Sequence, residues 1–216
     1  MNTGKCLTLI VMFTLSMPLA GTAEELVYDN GEVLGSFSGL EAGQAEAMRL
    51  TPVHPATLSL LRLRFSKAGT VEIHVWADNG GNQPDLDTDI TPPIMLEAPA
   101  DEWFDVPLDE SVEIPAERHF HVGHVLLQDG GPALRIDTSE APVSRALLRV
   151  YSADLEKYVW SAIGDDAGGQ TVYRRYLVRA EIEYHDQVLE KRFTDVGQET
   201  GYGSHRRIST VDFDAD

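Results

Sequence analysis

From residue 26 to about residue 190, apolar and polar positions alternate in short runs separated by turn residues. The segment Thr70-Val71-Glu72-Ile73-His74-Val75-Trp76 puts Val71, Ile73 and Val75 on one face and Glu72, His74 and Trp76 on the other. That two-residue period belongs to a strand with one buried side. Residues 60–65 alternate in the same way, and runs at 104–108, 112–114, 120–127, 134–136, 147–151 and 173–184 continue the series. Asn30-Gly31, Ala68-Gly69, Asn79-Gly80-Gly81, Asp129-Gly130-Gly131 and Ala167-Gly168-Gly169 supply the turns between them. Short strands at this spacing predict an all-β fold, an antiparallel β-sandwich. Only residues 40–50 carry a weak helical period, and the Asp-, Asn-, Gly- and Pro-rich stretch 78–93 reads as one long loop.

The N-terminus sets an expectation of compartment. Lys5 precedes an uncharged, mostly apolar run at 7–15, Pro18 breaks it, and Ala20-Gly21-Thr22-Ala23 offers small residues for cleavage. This is the layout of a secretory signal peptide over residues 1–23, and the apolar run is too short to span a bilayer. The chain is therefore expected to be secreted or periplasmic. Its one cysteine, Cys6, would leave with the signal, so no disulfide, thiol nucleophile or thiolate metal site is expected afterwards.

Charge narrows the partners. Seventeen Lys and Arg residues stand against 35 Asp and Glu, a net charge of −18. Nucleic acid and anionic membrane surfaces are poor partners for such a chain, because binding them requires a basic face. Calcium and cationic ligands suit the field better, and solubility alone is the plainer alternative.

At residue 191 the texture changes. Phe193-Thr194-Asp195-Val196, then Gly201, lead to Val211-Asp212-Phe213-Asp214-Ala215-Asp216. The order of these pieces resembles the start of an FG-GAP/VCBS-type repeat of the integrin-like β-propeller family. The resemblance implies that Asp212, Asp214 and Asp216 match the first three calcium ligands of a D-x-D-x-D-G loop. The glycine and last acidic ligand of that pattern do not follow, so the expectation is a chain truncated in its first repeat, with 24–190 as the sandwich and 191–216 as an incomplete repeat. A looser resemblance covers the sandwich itself. Val27-Tyr28-Asp29-Asn30-Gly31, Leu50-Thr51-Pro52 with Pro55, and Val75-Trp76-Ala77-Asp78-Asn79-Gly80-Gly81 with Pro84 are similar to secreted bacterial β-sandwich modules. It implies a jelly-roll-like accessory module and brings no catalytic residue with it.

Other candidate chemistry is sparse. In His119-Phe120-His121-Val122-Gly123-His124, His119 and His121 share a strand face, as zinc or copper ligands would. His124 falls on the opposite face unless Gly123 forms a bulge. The plainer alternative is a strand whose histidines face solvent or a neighbour. Asp85, Asp87 and Asp89 alternate and offer oxygens for a second calcium, without the glycine an EF-hand loop needs; a hydrated loop is the alternative. There is no G-x-S-x-G elbow, and adjacency of Ser204 and His205 does not make a triad. Trp76, Trp103 and Trp160 either stack on sugar rings or fill a core. The expectation is a secreted, non-enzymatic, calcium-associated protein for adhesion or ligand recognition, with an extracellular protein or carbohydrate as partner. The alternative is a carbohydrate- or protein-binding accessory module of a secreted hydrolase.

Overall fold

The computed structural model describes residues 23–167 and 170–185. The expected signal peptide, apart from Ala23, and the expected repeat segment 191–216 with Asp212, Asp214 and Asp216 lie outside the described residues. In chain order the strands are β1 (Ala23–Leu26), β2 (Val33–Gly35), β3 (Ala45–Leu50), β4 (Ala56–Arg64), β5 (Gly69–Asp78), β6 (Pro84–Asp89), β7 (Ile94–Ala98) and β8 (Trp103–Ile114). They continue with β9 (Phe120–Val125), β10 (Ile136–Asp137), β11 (Ala146–Ser152), β12 (Lys157–Ala162), β13 (Gly164–Ala167), β14 (Gln170–Tyr173) and β15 (Val178–Tyr184).

The fold is all-β and antiparallel. One sheet runs β1-β15-β4-β8; the larger runs β12-β11-β3-β9-β5-β6, with β7 also paired to β5. The chain crosses between the sheets as it goes from β3 to β4 to β5 and from β8 to β9, the crossing pattern of a jelly roll. Inward faces of the two sheets meet in one core. Leu58, Leu61, Leu63, Val106, Val178, Ala180 and Ile182 face Met48, Leu50, Val71, Ile73, Val75, Phe120 and Val122 across it. Full burial of each large aliphatic side chain contributes about 1.5–3 kcal/mol.

Local irregularities explain where simple alternation breaks. Leu58 and Leu61 are both fully buried although three residues apart. The register of β4 against β8 shifts between Leu58 and Leu60, so Ser59 is an extra residue that switches the parity of the strand. The 40–50 helix expectation is corrected: residues 45–50 form β3. Its period was obscured because Glu46, a polar residue, lies on the core face between the small outer residues Ala45 and Ala47. The 78–93 loop expectation is corrected as well, since β6 pairs back onto β5 around a tight turn. Asp78 organises that turn: its Oδ1 accepts from the backbone N–H of Gly80 at 2.7 Å and of Asn82 at 3.3 Å.

The larger sheet is strongly curled. Trp76 on β5 and Trp160 on β12 meet edge to face with ring centroids 6.1 Å apart, although β9, β3 and β11 lie between their strands. Four interstrand steps in a flat sheet would separate them by roughly 19 Å. Small residues line the face that closes up: Ala45, Ala47 and Gly123 sit beneath the indoles. A Cβ at Gly123 would lie 1.9 Å from the Glu46 carbonyl oxygen and 2.8 Å from Ala47 Cα. Gly123→Ala is therefore expected to lower the unfolding free energy by about 2–3 kcal/mol or more, measured by urea denaturation.

Candidate functional site

The concave face of the curled sheet is filled along most of its length. His74 stacks on Trp76 at 4.7 Å with an interplanar angle of 8°, and Leu86, Val125 and Trp160 pack around it. Trp76 is only 1% exposed, so it is a packing residue and not an open sugar platform. Trp103 lies on the other sheet beneath the Arg179 guanidinium, 4.4 Å from the ring centroid.

At one end of this face the filling stops and a cleft of about 400 Å³ opens. Arg49, Leu147 and Ala162 form its floor from three neighbouring strands, the β5–β6 turn at 81–83 forms one wall, and Pro142, Val143, Ser144 and Tyr173 form the other. Arg49 carries the only charge among these lining side chains. Its Nη2 donates to the Ser144 carbonyl at 2.9 Å, its Nε is buried without a partner, and among the described residues the guanidinium meets no carboxylate. A second cleft of about 320 Å³ lies between the 36–40, 66–67 and 130–131 segments; its one charged side chain, Lys67, is tied to the Gly130 carbonyl.

Behind Arg49 stands His121, its register partner on β9. His121 is fully buried, and its Nε2 donates to Asp78 Oδ2 at 2.9 Å, leaving Nδ1 without a partner. Burial pushes the imidazole down to about 4, against the pull of Asp78 and with help from Arg49 and His119. Burial also opposes ionisation of Asp78, but its hydrogen bonds from His121, Gly80 and Asn82 outweigh that and hold the carboxyl below its ordinary range. The result is a neutral imidazole pinned by an ionised carboxylate.

Cations gather on the same side. His119 Nδ1 is 2.9 Å from Thr51 Oγ1; burial, then Arg49 and Arg145, depress its pKa against Asp78. Arg145 bonds Thr51 Oγ1 at 3.2 Å and lies 3.9 Å over the Tyr28 ring. Burial, then Arg49 and Arg175, pull its pKa below the usual arginine value, against Tyr28. Arg175 donates to the Tyr28 carbonyl. Arg62, Arg135, Arg174 and Arg179 all meet carboxylates; among the described residues Arg49, Arg145 and Arg175 meet none.

The histidine motif splits across the sheet. The β3–β9 register runs unbroken through Gly123, so no bulge re-aims His124, which points into the core. There its Nε2 donates to Glu46 Oε2 at 2.8 Å, and the same oxygen accepts from the backbone N–H of Leu134 at 2.7 Å. Burial and the Glu46 carboxylate beside it hold the Tyr176 phenol well above its usual pKa. His119 and His121 have different partners, Thr51 and Asp78, and do not converge. Nor do the three aspartates. Asp85 accepts from the backbone N–H of Asp87 at 3.2 Å and from Thr88 Oγ1 at 3.0 Å, while Asp89 Oδ1 pairs with His74 Nδ1 at 3.0 Å. Among the described residues no group of three or more His, Cys, Asp or Glu is placed to hold a metal ion. Arg49 escaped the sequence reading because a lone arginine on an alternating strand carries no signal until the chain folds.

No protein-family model matches this chain, and no curated protein matches it. Among solved structures the chain is similar to a clostridial cysteine protease, Cwp84, after propeptide cleavage, with 11% identity and a TM-score of 0.44. That match covers 78% of this chain and 41% of the protease chain, so the chain spans less than half of that protein's length. The expectation of a non-enzymatic protein is withdrawn, because the sequence observations behind it do not exclude catalysis. Sandwich folds carry catalytic and non-catalytic functions alike, so strand patterning and a missing nucleophile motif do not exclude catalysis. At this TM-score the likeness brings no activity to the chain. Among the described residues no helix is long and apolar enough to cross a membrane.

The buried imidazole predicts a pH dependence. The His121 pKa falls from 6.5 to about 4 on folding, so between those values the unfolded chain binds a proton that the folded one refuses. Stability is full above pH 6.5 and declines toward pH 4, by about 3 kcal/mol in total. His121→Gln keeps a donor for Asp78 without the titration. Urea denaturation at pH 7 and pH 4.5 is expected to show a clear loss for the wild type and a much smaller one for this variant.

Proposed function

We propose that the chain is a secreted or periplasmic ligand-recognition module whose binding site is the cleft over Arg49, with an extracellular protein or carbohydrate as its partner. The observation that carries this reading is the Arg49 guanidinium, without a carboxylate partner among the described residues, lining a cleft walled by two loops. Loops held at the end of a rigid sandwich are a common position for recognition sites. Arg49 lies on β3 with His121 as its cross-strand partner on β9, so the guanidinium is carried by a sheet and not by a loop.

A glycan and peptide array probed with the full chain tests the reading. Val143 is 53% exposed at the cleft wall, so Val143→Trp is expected to fill the mouth and abolish every array signal at unchanged melting temperature. An empty array, or signals that survive this variant, would remove the cleft from the reading.

Calcium enters through Asp212, Asp214 and Asp216, on the repeat resemblance alone. Clustered carboxylates of that loop would be neutralised and ordered by the ion. A melting temperature raised by calcium and not by magnesium, with the rise lost in Asp214→Asn, is the expected result; equal responses to both ions would count against it.

A further inference from the structure

Resting on the cleft reading, we infer that the ligand group seated over Arg49 is a carboxylate, specifically the free C-terminal carboxylate of a peptide chain ending in an aliphatic residue. The first ground is charge. In a chain of net charge −18, the cleft lining holds an arginine and no acid. Arg145, just before β11, stands beside it, with the Arg49 backbone N–H donating to the Arg145 carbonyl at 2.7 Å, and Arg175 acts on Arg145. Arg175 feels the Asp137 carboxylate, but among the described residues Arg49 and Arg145 form no ion pair; like charges repel one another, and a bound anion relieves that repulsion. Asp78, whose charge acts on the neighbouring His119 and His121, has its oxygens engaged by His121, Gly80 and Asn82.

Wall chemistry then selects among anions. Pro142, Val143 and Leu147 give an aliphatic surface beside the guanidinium, and the turn across from it brings the amide side chains of Asn82 and Gln83. A C-terminal residue carries the matching groups together: a planar carboxylate for the arginine, an apolar side chain for the aliphatic wall, and a peptide unit for the amides. A uronic acid sugar would set ring hydroxyls against Pro142, Val143 and Leu147, where they find no partners. Polyuronates also bring many negative charges toward an acidic surface, whereas a chain end brings one.

Isothermal titration of the full chain with acetyl-Gly-Gly-Val as the free acid and as the C-terminal amide, and with a galacturonic acid trisaccharide, tests the inference. The free acid is expected to bind about tenfold or more tightly than the amide, as loss of a charge-assisted hydrogen bond implies. Arg49→Gln is expected to erase that difference, and Arg49→Lys to keep part of it. Val143→Asp, an exposed change that leaves the core untouched, is expected to weaken the acid and spare the amide. Added salt is expected to weaken the acid alone. Equal binding of acid and amide, suppressible by Val143→Trp, would overturn the carboxylate inference and leave the recognition site standing. Arg49-dependent binding of the trisaccharide without the peptide would overturn the peptide end alone. Failure of every probe to bind would overturn the inference, and the array experiment then judges the recognition reading by itself.

Discussion

The close approach of β3 and β9 at Gly123 is the constraint on which the rest of the molecule depends. No side chain fits there, because the Glu46 carbonyl and Ala47 Cα occupy the space a Cβ would need. With Ala45, Ala47 and Gly123 all small, the outer face of the larger sheet has room to close, and Trp76 and Trp160 meet across three intervening strands. Curling the sheet makes its outer face concave, and the indoles fill that concavity. The fill ends at Arg49 and Leu147, where the cleft begins. The candidate site is thus the unfilled end of a packing arrangement that one missing side chain permits.

His121 and His124 show how strongly position decides chemistry within one strand. Both are buried and each is paired with a carboxylate. His121 faces the concave side, where Asp78 fixes its ring from the β5–β6 turn and its neighbour across the sheet is Arg49. His124 faces the apolar core, where Glu46 is shared with the Leu134 backbone and Phe65 packs edge-on at 5.0 Å. The first histidine stands beside Arg49 on the concave face; the second satisfies a polar group inside the sandwich. Buried polar groups of this kind persist only when their partners are in place.

The charge distribution points the same way. An acidic protein tends to neutralise its arginines with nearby carboxylates, and Arg62, Arg135, Arg174 and Arg179 follow that pattern. Arg49, Arg145 and Arg175 instead lean on carbonyls, a hydroxyl and an aromatic face. The arrangement suits a site that meets its anion from outside. A sandwich by itself assigns neither a catalytic nor a non-catalytic role, so the functional reading rests on these residues and not on the architecture.

Much of the fold was legible in the chain because a strand's period is a local property of the backbone. The alternation of Val71, Ile73 and Val75 with Glu72, His74 and Trp76 named both faces of β5 correctly, and the glycine-rich turns marked several of the connections between strands. Reading failed where a partner elsewhere in the chain overrides the local pattern. The parity switch at Ser59 depends on register with β8; the polar core position of Glu46 depends on His124 and the Leu134 backbone, distant in sequence. The cleft depends on still more, since residue 49, the 81–83 turn, residues 142–147, Ala162 and Tyr173 meet only through strand pairing and sheet curvature. By itself the sequence determined strands, faces and turns, which follow from nearest-neighbour geometry; which side chains converge, and what charge they leave unpaired, was decided by the tertiary structure, because curvature and register bring together residues that share no local signal.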